Sequence, residues 1–151
     1  MSIRINAPVW AEITADISDF KRGYLKGVRN AFRTTSRLAR EWRDKYFPVD
    51  TGNLIGMTTI GIDFSGPPFR IMLRVDVDYA SFVNLMEGVR WTNRLTVDHF
   101  FDVWTRLVRK WFHDALVEEI FAVGNALTTL QLSTESYENI DPLALIEMGG
   151  T

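Results

Sequence analysis

The chain contains no cysteine. That absence excludes disulfides, thiolate zinc sites, iron–sulfur clusters and a cysteine nucleophile. It fits a protein assembled in a reducing cytosol. No uninterrupted apolar run approaches the roughly 18 residues of a membrane span. The first residues, Met1-Ser2-Ile3-Arg4-Ile5-Asn6, lack an apolar signal core, so secretion is not expected. Phosphate-cradling glycine loops, nucleophile elbows and zinc-protease patterns are also missing. Lysine and arginine are wholly absent from residues 111–151.

What is present is ordinary in bulk and uneven in detail. The chain has 151 residues, 46% hydrophobic and 24% charged, which suits one globular domain. The formal net charge of −2 is a sum of unlike parts. Residues 1–45 carry ten basic and five acidic side chains, residues 46–110 seven of each, and residues 111–151 seven acidic ones alone. A basic head and an acidic tail can complement each other between copies of one chain.

Hydrophobic periodicity predicts an α+β fold. Ile13, Ile17, Phe20, Tyr24, Val28, Ala31, Leu38, Trp42 and Tyr46 recur at helical spacing, so residues 10–46 read as one long amphipathic helix. Asn6-Ala7-Pro8 supplies a cap and a first-turn proline, and Gly23 and Gly27 are candidate weak points. A second stripe on the same helix, Arg22, Lys26, Arg29, Arg33, Arg37 and Arg40, lies opposite the apolar one. Pro48 ends the helix. Thr58 to Phe64 alternates, and so does Ile71 to Tyr79, with Ser65-Gly66-Pro67-Pro68 between them. These are two strands of an antiparallel hairpin. The hairpin needs the helix, further strands or a neighbouring subunit to cover it.

Residues 96–123 read as a second long helix, rich in aromatics, capped by Thr96 and stopped by Gly124. Its broad stripe suggests an oligomer interface through Trp104, Trp111 and Phe112, with close core packing as the plainer reading. The domain is expected to span residues 1–132. Residues 133–151 are expected to be an extended acidic arm whose Glu135, Glu138 and Asp141 meet a partner.

Little in the sequence speaks for chemistry. His99 and Asp102 share a helix face, and Asp76 and Asp78 a strand face, but neither pair has a third ligand nearby. Asp50-Thr51-Gly52 matches the triplet of aspartic proteases, where paired Asp residues activate water. Here it follows a charged helix, and a fixed helix-to-strand turn explains it more simply. No enzyme activity, metal or cofactor is expected.

Pro48-Val49-Asp50-Thr51-Gly52-Asn53-Leu54, then a hairpin, then Tyr79-Ala80-Ser81-Phe82-Val83 with Glu87-Gly88, resembles the neck or tail-completion family of tailed bacteriophages. The resemblance covers residues 10–90. Asn84 stands where the family's Glu is expected, and Leu85-Met86 are inserted before Glu87-Gly88. The resemblance implies a structural virion protein of the head-to-tail connector, assembled in the host cytoplasm. Such proteins form a homo-oligomeric ring, six or twelve copies by analogy, through whose lumen DNA passes. Their partners are neighbouring connector, head-closure, tail-terminator or tail-tube proteins, with no membrane involved. Pro48, Val49, Asp50, Thr51, Gly52, Leu54, Tyr79, Ala80, Val83, Glu87 and Gly88 are then fold-defining. Arg29, Arg33, Arg37 and Arg40 join the aromatic and acidic residues above as interface candidates. The alternative reading is a nucleic-acid-binding module using the basic face of residues 22–40.

Overall fold

The computed structural model describes residues 8–17, 24–49, 53–65, 68–122 and 130–138. Among these residues the fold is α+β, with two long helices packed on one face of a four-stranded antiparallel sheet. The strands are β1 (Val9–Ile17), β2 (Thr58–Asp63), β3 (Phe69–Val75) and β4 (Leu130–Glu138). The helices are α1 (Tyr24–Tyr46), α2 (Asn53–Gly56), α3 (Ala80–Leu85) and α4 (Phe100–Ala122). The sheet order is β2-β3-β1-β4.

Residues 9–17 are a strand, not the first turns of a helix. Val9, Ala11, Ile13 and Ala15 are buried on one face, which is period two. Ile13 and Ile17 misled the reading because a spacing of four satisfies both periods. It is even, as a strand requires, and only about 40° off register on a helix. Hence Pro8 precedes a strand, and the proposed Asn6-Ala7 cap lies outside the described residues, as do Phe20 and Gly23. α1 nevertheless forms over 24–46 and buries Val28, Ala31, Phe32, Thr35, Ser36 and Ala39. Gly27 allows its close approach to α4, since a Cβ there would stand 3.0 Å from the Cβ of Glu119.

The hairpin forms as expected, with Thr58 opposite Val75 and Ile62 opposite Ile71. Phe69, Ile71, Leu73 and Val75 are buried, while Arg70, Met72 and Arg74 are exposed. The Asp63 carboxylate accepts hydrogen bonds from the Ser65 N–H and hydroxyl, which lower its pKa and open the turn. Gly66 and Pro67 lie outside the described residues. β3 stops at Val75, so Val77 and Tyr79 do not continue the alternation. Among the described residues the partners end there: β1 and β2 both stop pairing at Val75. One further bond, from the Asp76 N–H to the Met57 carbonyl, closes the ladder.

β4 pairs along the whole of β1, with Ile17 opposite Leu130 and Val9 opposite Glu138. Residues 133–138, expected in a separate arm, are thus the end of an edge strand. The free edge of β1 supplies their hydrogen-bond partners, and Leu130 and Leu132 turn towards the core. Asp141 and the rest of residues 139–151 lie outside the described residues.

α4 begins at Phe100 rather than Thr96, and its aromatics form the core. Phe112 stacks on Phe32 at 4.9 Å, and Phe47 meets Phe100 at 4.8 Å and Trp104 at 5.0 Å edge-on. The Trp104 indole N–H donates to the Ala39 carbonyl at 3.0 Å, joining the two helices. Trp104 and Phe112 are 0% exposed and Trp111 packs partly buried against them. Trp104 and Phe112 are therefore core residues and not an interface. One small domain does bury this stripe, because the sheet face and α1 together enclose it.

Candidate functional site

Described parts of both motif segments lie at one end of the helical pair, where α1 finishes and α4 starts. A helix leaves its last carbonyls and first amides without internal partners. Residues 84–99 supply a partner to one group of each set. Asn93 donates through Nδ2 to the carbonyls of Lys45 and Phe47, each at 2.9 Å, closing α1. Asn84, buried on α3, accepts the Phe101 N–H at 3.0 Å and so caps α4 from a distant segment. Asn84 is the residue that departs from the family pattern.

Glu87 and Gly88 lock onto the residues just before α4. The Gly88 N–H donates to Asp98 at 3.1 Å, and the Glu87 carboxylate lies 2.8 Å from His99 Nε2. Gly88 has φ 67 and His99 has φ 56, so the chain turns sharply at both places. The Glu87 hydrogen bond raises the His99 pKa above its usual 6.5, desolvation opposes it, and the Asn84 carbonyl and Asp102 add to the rise. A raised folded pKa contributes stability fully below the unfolded value, and that contribution is lost as pH rises through the folded one. The stability gap between wild type and Glu87→Gln is therefore expected to be full at about pH 5.5 and smaller at about pH 9. Urea unfolding at both values checks this; a gap that grows with pH contradicts it.

Pro48, Leu54 and Ala80 are buried and Val83 is partly so, packed against the core. The Thr58 hydroxyl donates to the Leu54 carbonyl, tying α2 to β2. Asp50, Thr51 and Gly52 lie outside the described residues, flanked by α1 and α2. Among the described residues no group of three His, Asp or Glu side chains could hold a metal ion. His99 faces Glu87, and Asp76 pairs with Arg74 at 3.2 Å.

α3 is amphipathic in the reverse sense. It buries Ala80, Ser81 and Asn84. Two of its large apolar residues face outward: Phe82 is 55% and Leu85 43% exposed, with Tyr79 just before them at 37%. These three recur every third residue, so they form one row. Val49, Met57, Leu95 and Val97 are further exposed apolar residues in the neighbouring segments. A contiguous exposed apolar row marks a surface that another molecule can cover.

Arg29, Arg33, Arg37 and Arg40 are exposed on α1, as the basic stripe predicts. Arg37 pairs with Glu41 at 3.2 Å, and Arg29 lies 5.2 Å over the Phe64 ring. Glu135 is exposed on β4, and Glu138 ends that strand with its side chain outside the described set. A second basic face escaped the sequence reading. Arg106, Arg109, Lys110 and His113 line a groove of about 420 Å³ with Leu130 and Leu132. Arg109 is fixed there by donating to the Leu132 carbonyl at 2.9 Å. Their spacing of three and four was visible, but counting charge by thirds cancelled it against distant acids.

Comparison with protein-family models, curated proteins and solved structures found no match to this chain.

Proposed function

We propose that this chain is a structural subunit of the head-to-tail connector of a tailed bacteriophage, assembling into a homo-oligomeric ring. The observation that carries the assembly reading is the outward row Tyr79, Phe82 and Leu85 on α3. It lies within the segment on which the family resemblance rests. Interface cores favour large aromatic and apolar side chains, and this row supplies them where the fold has no use for them. The sheet supports the same reading, since β2 and β4 are its outer strands among the described residues. Two unlike edges on one subunit suit heterologous, head-to-tail contacts, the kind that close into rings. Six or twelve copies, DNA in the lumen, neighbouring connector or tail proteins as partners and no catalysis are the family's implications for this chain. The exposed Arg29, Arg33, Arg37 and Arg40 keep a second reading in view, a nucleic-acid contact through α1.

The deciding experiment is the solution mass of the purified chain, with Phe82→Asp/Leu85→Asp beside it. Both positions are exposed, so the double variant should remain folded by circular dichroism. Wild type is expected as a discrete oligomer and the variant as a monomer. A wild-type monomer at tens of micromolar, or a variant that still assembles, refutes the assembly reading. Presence of the chain in purified virion necks tests the connector role itself.

A further inference from the structure

We infer that the loop between α3 and α4 carries a binding site for a phosphate group. A cavity of about 600 Å³ is lined there by Arg90, Trp91, Thr92, Arg94 and Thr96, with Val89. Among the described residues no acidic side chain lines it. Arg90 and Arg94 form no ion pair among the described residues and are exposed. Trp91 Nε1 and Thr96 Oγ1 are buried polar atoms without a hydrogen-bond partner among the described residues, and Thr96 as a whole is 8% exposed. Buried donors normally find a partner, and each one left alone costs on the order of 1–3 kcal/mol.

The chemistry of the lining selects the ligand. Guanidinium and indole N–H groups only donate, and a threonine hydroxyl can donate too. The complement is an anion with several acceptor oxygens. Two arginines favour phosphate, whose oxygens accept the guanidinium fork in pairs. The wall is also held in place. Asn93, at the centre of the loop, is bonded to the end of α1, and its side-chain and backbone oxygens accept the N–H groups of Leu95 and Thr96 at 3.1 Å each. The backbone that carries Arg90 and Trp91 on one side of Asn93, and Arg94 and Thr96 on the other, is therefore anchored at its centre before any ligand arrives.

The site stands on this loop and does not require ring formation. Two sources can present the same chemistry, free phosphate and the phosphodiester backbone of nucleic acid. The test titrates the full chain with inorganic phosphate and, separately, with a short DNA duplex, followed by tryptophan fluorescence and calorimetry. Arg90→Gln/Arg94→Gln should weaken binding about a hundredfold, roughly tenfold per guanidinium. Arg70→Gln/Arg74→Gln, two exposed arginines on β3, should leave it unchanged. If the backbone is the source, duplex affinity falls with salt at a log–log slope of about −1.8, for two phosphates. If free phosphate is the source, it binds alone and displaces the duplex. Repeating the titrations with Phe82→Asp/Leu85→Asp separates loss of assembly from loss of the site. Binding of neither probe, or undiminished binding by Arg90→Gln/Arg94→Gln, overturns the proposal.

Discussion

Trp104→Ala is expected to destabilise the chain by about 3–5 kcal/mol, enough to threaten folding at 37 °C. Trp104 is fully buried and meets Phe47 and Phe101 edge-on. Its truncation leaves a cavity between α1 and α4 that close-packed neighbours refill only in part. It also removes the indole hydrogen bond to the Ala39 carbonyl. The midpoint of thermal unfolding should fall by roughly 10–20 °C. Trp104→Phe keeps most of the ring volume and loses the donor, so its cost should be about 1–2 kcal/mol. Trp111→Ala, at a half-buried position, should cost less than Trp104→Ala. Urea unfolding of the three variants gives the order. If Trp104→Ala lay within about 0.5 kcal/mol of wild type, the aromatic core described here would be wrong.

Asn84→Ala is expected to cost about 1–3 kcal/mol without removing any sizeable apolar surface. The side chain is buried and its Oδ1 accepts the Phe101 N–H at 3.0 Å. Alanine leaves that amide facing a buried environment with no acceptor, at the end of a helix where four amides already lack internal partners. Asn84→Asp keeps an acceptor at the same reach and places negative charge at the helix N-terminus, so its effect should be smaller. Amide hydrogen exchange separates this from a packing defect. The Phe101 amide and the first turn of α4 should exchange faster in Asn84→Ala, with β3 little changed. Uniform acceleration over the whole chain would argue that Asn84 acts through packing instead.

These two residues differ in how visible they were beforehand. Trp104 stood in a periodic aromatic stripe, so its burial was readable, though not whether its cover was intramolecular or a second copy. Asn84 was visible only as a departure from a family pattern. Its role depends on α3 lying against the start of α4, 17 residues later, and no local spacing encodes that. The same holds for Asn93 and the end of α1, and for Glu87 with His99. The outward row on α3 was also hidden, because six residues are too few to show which face of a helix is covered.

The sequence by itself determined the α+β class, both long helices, the β2–β3 hairpin and the basic face of α1. Each is written in a short-range period that side-chain direction enforces, 3.6 for helices and two for strands. Tertiary structure alone decided that residues 9–17 join the sheet, because Ile13 and Ile17 fit either period and only an available edge of β3 selects the strand. It likewise decided that 130–138 pair with β1, that the aromatic stripe of α4 is core, and that the loop from Arg90 to Thr96 becomes a walled cavity. Each depends on which distant segment supplies a hydrogen-bond partner or an apolar cover, and that is a property of the packed chain.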